Sequence, residues 1–272
     1  MSGANPNLTI SKACAIIIAL WVPAHAVAGG APALFGNAVQ GGFLYGESRW
    51  DVSGPNLTKR DGVFVIALPM DAPEILTLEF CKNEKCGRHD YKIEQRKYKE
   101  QNIRVDSKFT EYPPDVQKRI DAEAELIRKT MRILDFERLN LADWEYPFAK
   151  KYKSGGGYGA RRVFNGMPKS PHKGWDIAAP RGAEVRPMAR GRVALAIDGY
   201  LTGRTVLVSH GYGIYSAYMH LDRILVSQGD EISPASAIGT VGSSGRVSGP
   251  HLHLGLYADG VALDAELLFR MK

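Results

Sequence analysis

The sequence has few cysteines and few long apolar runs. The first shortage argues against a cysteine-based structural zinc site, and the second argues against a membrane-spanning protein. Only three cysteines occur in 272 residues, and the only close pair has too few ligands for a structural zinc site. Apart from one segment near the N-terminus, no stretch is apolar enough to cross a bilayer. We therefore expect the chain beyond that segment to be soluble and to have no stable membrane anchor.

The N-terminal apolar segment has the form of a secretory signal. Lys12 precedes the run Ala13–Val22, and Ala24-His25-Ala26 and Ala26-Val27-Ala28 then offer the small-x-small pattern that signal peptidase accepts. One positive charge, a short apolar run and a small-residue cleavage site describe a signal peptide rather than a membrane span. Residues 1–28 are therefore predicted to be a signal peptide, and the protein is expected to be exported to the periplasm or secreted.

The three cysteines divide between this segment and a predicted hairpin. Cys14 follows Ser11-Lys12-Ala13, which is not a lipoprotein setting, so no lipid anchor is expected. Cys81 and Cys86 bracket a polar turn that follows the alternating segment Ile75–Phe80. In an oxidising compartment this arrangement predicts a disulfide across the hairpin.

The chain carries a formal net charge of +6. A positive balance suits an anionic partner such as a cell wall. No basic stripe interleaved with aromatic residues is present, and export also argues against nucleic acid as the partner.

The chain is mainly β and divides into three parts. The predicted domains are 29–110, a small N-terminal β domain; 111–145, a helical linker; and 146–272, an antiparallel β domain. In the first part, between Gly29 and Arg104, short apolar runs separated by Gly, Asn and Asp turns suggest a small sandwich or barrel. It contains no chemical constellation, so its expected roles are packing, partner binding or control.

The linker is predicted to be a helix over Pro113–Leu139. Pro113-Pro114 fits a helix start, and Glu125 and Lys129 form a favourable surface pair. Apolar residues recur at steps of three and four: Val116, Ile120, Ala124, Ile127, Met131 and Leu134. This single apolar stripe indicates a helix that docks one domain onto the other.

The third part reads as a succession of short strands separated by Gly-, Ser- and Asp-rich turns. The predicted strands are Arg192–Ile197, Thr205–His210, Ile214–Leu221, Ile224–Ser227 and Leu252–Tyr257. A helical period is absent until the last residues, so an antiparallel β domain is expected.

Five of the seven histidines fall between residues 172 and 253 of this part. In His251-Leu252-His253 the two imidazoles are expected on one side of a strand, while Leu252 faces the core. His210 lies at a strand end in Ser209-His210-Gly211, where a turn role is expected. His220 closes the predicted strand Ile214–Leu221 and adds one more imidazole.

His172 and Asp176 form a second pair, on a loop that runs into a strand. Two histidines and an aspartate suit Zn²⁺ with one position left open. His172, His220, His251, His253 and Asp176 are the candidates. A catalytic zinc needs three protein ligands, so two histidines remain for proton transfer and oxyanion stabilisation, and the count alone does not choose them.

At these residues the sequence resembles the LytM/lysostaphin-type zinc metallopeptidases, family M23, from about Gly159 to Leu268. The segments that carry the resemblance are Arg162–Gly166, Pro171–Pro180, Tyr218–Leu221 and Ser244–His253. Gln40-Gly41-Gly42 and Lys97-Tyr98 resemble, less distinctively, the N-terminal part of periplasmic M23 proteins. The usual closing Asp-Pro of the family reads Leu263-Asp264-Ala265 here, at an expected strand-to-helix corner.

The resemblance implies an antiparallel β groove with zinc held by His172, Asp176 and His253. It also implies that His220 and His251 are the catalytic pair. The expected function is zinc-dependent hydrolysis of peptide bonds in peptidoglycan, with the N-terminal domain limiting access to the groove or positioning the wall. The alternatives are a non-hydrolytic wall-binding regulator of other hydrolases and a secreted protease acting on Gly-rich proteins.

Overall fold

The structure is a computed structural model that describes residues 33–103, 112–133, 144–164, 167–168 and 170–270. The predicted signal peptide, residues 1–28, lies outside the described residues. None of the helices in the described ranges is long and apolar enough to cross a membrane. The molecule is mainly β, as predicted.

The N-terminal region forms two small antiparallel sheets around one core. Its strands are β1 Phe35–Gly36, β2 Phe43–Glu47, β3 Asp51–Ser53, β4 Leu57–Arg60, β5 Val63–Ala67, β6 Ile75–Lys82, β7 Lys85–Lys92 and β8 Glu100–Ile103. The sheet orders are β1-β2-β5-β4 and β3-β6-β7. Leu44 and Ile66 of the first sheet and Leu78 of the second share a buried cluster, which matches the predicted sandwich-like packing.

The disulfide prediction is confirmed at the β6–β7 hairpin. Cys81 and Cys86 lie opposite each other in the register and are bonded. Asn83 and Glu84 both have positive φ, 47° and 64°. Two successive left-handed residues match the twist of the flanking strands and give a two-residue turn.

Helix α1, Pro114–Thr130, begins at the predicted proline pair. It ends before the predicted Leu139 because the N–H groups of Arg132 and Ile133 donate to carbonyls three residues earlier and tighten the chain into a turn. Residues 134–143 lie outside the described part. Ile127 and Met131 pack on the sheet, but Ala124 is exposed, so its place on the apolar stripe was wrong.

Most of the C-terminal strands build one large sheet. The C-terminal strands are β9 Ser154–Gly156, β10 Arg161–Phe164, β11 Met167–Pro168, β12 Trp175–Ile177, β13 Glu184–Val185, β14 Gly191–Gly199, β15 Gly203–Ser209, β16 Ile214–Ile224, β17 Glu231–Ile232, β18 Gly239–Val241, β19 Leu252–Ala258 and β20 Val261–Leu263. The sheet runs β17-β14-β15-β16-β19-β12-β9, with β13, β18 and β20 beside this path. A 3-10 helix, Ala265–Leu268, follows.

Four of the five predicted C-terminal strands are present, but Ile224–Ser227 is not a separate strand. Strand β16 continues past His220 to Ile224 instead. It can do so because its distal end finds a new partner: Leu221 pairs with Val241, and Ile224 pairs with Gly239.

The N-terminal and C-terminal regions share a core and a sheet. Phe43, Val65 and Ala67 of the N-terminal region are buried in the same cluster as the interior of the large sheet. Strand β8 pairs in parallel with β10, which in turn pairs with β11. Close packing thus joins the N-terminal region to the segment that precedes His172.

Candidate metal centre

Neighbouring strands bring Asp176 and His253 face to face. In the β12–β19 register Asp176 lies directly opposite His253, and on its other side His253 pairs with Met219 of β16. Leu252 is fully buried, as the alternation of the HxH sequence predicted. His172 lies on the loop before β12, four residues ahead of Asp176.

Three donor atoms converge at this point. The distance from His172 Nε2 to His253 Nδ1 is 3.0 Å, and Asp176 Oδ1 lies 3.1 Å from the first nitrogen and 2.8 Å from the second. Two imidazole nitrogens and one carboxylate oxygen form a donor set that zinc favours. Among the described residues these three meet as a group able to hold a metal ion.

Backbone carbonyls orient three of the site imidazoles in the same way. Nδ1 of His172 faces Gly157 O at 3.0 Å, Nδ1 of His220 faces Ser244 O at 3.0 Å, and Nδ1 of His251 faces Gly249 O at 2.9 Å. A carbonyl only accepts hydrogen bonds, so each Nδ1 carries the proton. Each Nε2 of the neutral ring therefore presents its lone pair, as a metal ligand or a base requires.

The site electrostatics favour an ionised Asp176 and a neutral His253. Burial alone raises the pKa of Asp176, but the neighbouring imidazoles of His172 and His253 outweigh burial and hold that pKa well below its usual range. Burial lowers the pKa of His253, against the opposing effect of the Asp176 hydrogen bond. A deprotonated carboxylate and neutral imidazoles are the forms that bind a metal.

The residues present therefore fit a zinc ion. Three donor atoms of the right chemistry converge, and the second nitrogen of His172 is fixed by a carbonyl, as in metal-binding histidines. The side chains also remain accessible to a substrate. Their exposed fractions are 12% for His172, 17% for Asp176, 12% for His253 and 21% for His251.

His220 reaches the site because β16 is irregular at this point. Between the pairs Arg204–Leu221 and Val206–Tyr218 the strand carries an extra residue, and His220 has φ of +63°. Such a bulge redirects a side chain out of the regular alternation. The N–H of His220 donates to Thr202 O at 3.0 Å, and this bond anchors the bulge to the β14–β15 turn.

His220 and His251 form a second pair of rings beside the donor set. Their ring centroids are 5.0 Å apart, and His220 lies 6.0 Å from His253. Burial lowers the pKa of His220 to about 4, so this ring is neutral at pH 7. All five candidates from the sequence thus lie in one cluster.

The sequence reasoning missed two supports of this cluster. A Cβ on Gly174 would lie 2.5 Å from His253 Nε2, so the imidazole needs a glycine there. The segment 157–160 accepts hydrogen bonds from His172 at two carbonyls and donates one to the His172 carbonyl, although the Gly-rich pattern Ser154–Gly157 did not indicate it.

His210 is not at the site. It begins the β15–β16 turn, as expected, with its N–H donating to Ile214 O. Its ring is buried: Nδ1 donates to Arg190 O at 2.8 Å, and Nε2 lies 2.7 Å from the Ser216 hydroxyl. It is a core histidine whose hydrogen bonds are satisfied.

Comparison with known proteins identifies the domain that carries this cluster. The model of peptidase family M23 matches residues 170–265, a range that contains all five candidates. The chain contains an M23 peptidase domain. The Asp264 corner of this M23 domain joins β20 to the 3-10 helix, as expected, and its side chain accepts a hydrogen bond from Glu266 N.

Relatives of the M23 domain include bacterial proteins named as peptidases. The chain is 33% identical over 130 residues to peptidoglycan DD-endopeptidase ShyA of Vibrio cholerae, covering 47% of this chain and 30% of ShyA. It is 40% identical over 84 residues to DD-carboxypeptidase/endopeptidase Mpg of Neisseria meningitidis, covering 30% of this chain and 19% of Mpg. The chain thus matches less than a third of the length of each of these relatives.

A solved structure shares the overall fold. A crystal structure from Pseudomonas aeruginosa described as an M23 peptidase superposes with a TM-score of 0.65. The two are 22% identical, and the match covers 85% of this chain and 95% of the other. The likeness extends beyond the M23 domain into the N-terminal region.

Proposed function

We propose that this protein is a zinc-dependent endopeptidase that hydrolyses peptide bonds in the stem peptides or cross-links of peptidoglycan. The observation that carries the proposal is the triangle of donor atoms from His172, Asp176 and His253 beside a second pair of histidines. Three ligands with one open position are typical of a catalytic rather than a structural zinc site.

In this proposal His172, Asp176 and His253 hold the zinc. When bound, the ion supplies a Lewis acid that polarises the scissile carbonyl and makes a water molecule more acidic. The Gly157 carbonyl that orients the His172 ring and the glycine beside His253 keep both rings in position before the ion arrives.

His220 and His251 are the proposed catalytic pair. With Nδ1 bonded to a carbonyl, each neutral ring carries its lone pair on Nε2. A neutral imidazole in this state accepts a proton from water, and the resulting imidazolium donates it to the leaving amine. A ring that carries a proton on Nε2 also stabilises an oxyanion.

Peptidoglycan is the proposed substrate for two reasons. The relatives ShyA and Mpg, which match the M23 domain, are named for activities on DD-peptide bonds. The net charge of +6 also favours an anionic polymer. The same substrate and the predicted signal peptide favour a location in the periplasm or outside the cell.

A digest of purified peptidoglycan sacculi tests this function. We expect the wild-type chain with zinc to release soluble muropeptides and to convert cross-linked dimers to monomers, identified by mass. A chelator and the His251→Ala variant should each abolish release. A zinc-loaded chain that releases nothing would favour the wall-binding regulator, and digestion of casein or elastin in place of sacculi would favour a secreted protease.

A further inference from the structure

His172, the proposed zinc ligand on the loop before β12, makes three hydrogen bonds to one short segment, residues 157–160. Its N–H donates to Ala160 O at 3.0 Å, and its carbonyl accepts from Gly159 N at 2.8 Å. Its ring donates from Nδ1 to Gly157 O at 3.0 Å. Both the backbone and the ring orientation of His172 therefore depend on where residues 157–160 lie.

The N-terminal region fixes this segment. The ring of Tyr98 lies against Gly159 so closely that a Cβ on Gly159 would be 2.1 Å from its Cδ1 atom. The next residue, Lys99, accepts a hydrogen bond from Arg161 N at 2.8 Å, and strand β8 then runs parallel to β10. Tyr98 thus lies against Gly159, a position of the segment that has no side chain of its own.

Tyr98 is itself held in place by charged and aromatic neighbours. The Arg96 guanidinium lies 5.2 Å from the Tyr98 ring centroid and forms an ion pair of 2.8 Å with Asp264, whose side chain is 1% exposed. Tyr158 meets the Tyr98 ring edge-on at 6.1 Å. The Tyr98 hydroxyl is buried and has no hydrogen-bond partner among the described residues, so the ring and not the hydroxyl makes the useful contact.

We infer that Tyr98 is a positioning residue for the metal centre: its ring, supplied by the N-terminal region, presses on Gly159 and thereby sets His172 for zinc binding. The inference rests on the proposed zinc site but not on the substrate. It gives the N-terminal region a part in building the site.

Zinc affinity, measured by competition with a chromophoric chelator, tests the inference in the full chain. Tyr98→Ala removes the ring, and we expect it to weaken zinc binding by about 10- to 100-fold, the usual cost of losing a support of a metal ligand. The visible spectrum of the Co²⁺-loaded variant should also change, because it reports ligand geometry. Tyr98→Phe keeps the ring and should restore both properties.

Tyr91→Ala is the matched control. Tyr91 also lies in the N-terminal region, and its buried hydroxyl has no hydrogen-bond partner among the described residues. Its ring, however, packs in the cluster with Leu78 and Ile93. We expect Tyr91→Ala to lower the free energy of unfolding and leave zinc affinity unchanged. If Tyr98→Ala does not fold, Tyr98→Leu replaces it, with the same expected direction.

The outcomes separate this inference from the proposed function. A wild-type chain that binds no zinc would refute the metal site itself and, with it, the inference. Wild-type zinc affinity in Tyr98→Ala, or an equal loss in Tyr91→Ala, would overturn only the positioning role of Tyr98. An unchanged Co²⁺ spectrum in a weakened Tyr98→Ala variant would likewise contradict repositioning of His172.

Discussion

Gly174 is a single position where the packing of the metal centre can be tested without touching a ligand. Its Cα faces His253 so closely that an added Cβ would lie 2.5 Å from Nε2 and 2.7 Å from the Leu254 carbonyl oxygen. Because neither the strand nor the ring can give way cheaply, we expect Gly174→Ala to displace the imidazole. Zinc affinity should fall by about 10- to 100-fold.

Gly157→Ala is the control for this change. It lies on the segment that supports His172, but a Cβ there would meet nothing within 4 Å. Its zinc affinity should match that of the wild type. If Gly174→Ala binds zinc as tightly as Gly157→Ala and the wild type, the close approach at Gly174 is not needed for zinc binding.

His210 makes the stability of the fold depend on pH. Burial lowers its pKa from 6.5 to about 4, so between these values the unfolded chain takes up a proton that the folded chain refuses. The stabilisation is complete above pH 6.5 and is lost as the pH falls to 4, by up to about 3 kcal/mol. The free energy of unfolding, measured in urea, should differ less between pH 7 and pH 5 for His210→Gln than for the wild type.

The sequence predicted the clustering of the five candidate residues better than the contacts that support them. Strand alternation places His251 and His253 on one side, because a period of two is a local property of any strand. The bulge at His220 depends on the pairing of β16 with β15, and the contact of Gly174 depends on β19. Such features need the partner strand, which a single sequence does not reveal.

Helix α1 holds the turn on which His220 rests. Glu123 accepts a hydrogen bond of 2.7 Å from Tyr200 N in the β14–β15 turn, and Thr202 of the same turn accepts from His220 N. We expect Glu123→Ala to loosen this turn by about 1 kcal/mol, the usual value of one such bond, and to lower turnover about five-fold. Bound zinc, measured as metal content, should be unchanged.

Glu125→Ala is the matched control on the same helix. Glu125 pairs with Arg128 and, at 3.8 Å, with Lys129 on the helix surface. Surface pairs of this kind contribute little, so its turnover should equal that of the wild type. A similar loss in both variants would assign the effect to the helix as a whole and not to its contact with the turn.

The same helix shows why a stripe read from sequence can be misplaced. The predicted stripe contained Ala124, whereas the structure turns Glu123 toward the sheet and leaves Ala124 exposed. Hydrophobicity favours alanine on the inner face of the helix. A carboxylate can take that place when it accepts a hydrogen bond from a backbone N–H. The partner of Glu123 comes from a turn far along the chain, so spacing within the helix could not indicate it.

The core shared by the two regions argues against the hypothesis that the N-terminal domain only limits access to the groove. If the N-terminal domain only limits access to the groove, residues 147–272 alone should be more active than the full chain. Phe43 and Val65, however, are buried in the core of the large sheet, and losing such side chains costs about 1.5–3 kcal/mol each.

We therefore expect the isolated 147–272 fragment to be less stable and less active than the full chain. Urea unfolding should show an earlier midpoint, and a hydrophobic dye should bind the uncovered core surface. Zinc affinity should also fall, since Tyr98 is absent. A fragment with full stability and higher activity would support gating and contradict the structural role of the N-terminal region.

The division of the five site residues into ligands and catalysts is tested most directly by measuring zinc content and turnover together in single variants. His253→Ala and Asp176→Ala should lose zinc and activity at once. His220→Ala and His251→Ala should keep one zinc per chain while turnover falls by about 10²- to 10⁴-fold. Full zinc stoichiometry in Asp176→Ala, or wild-type turnover in His251→Ala, would contradict the assignment.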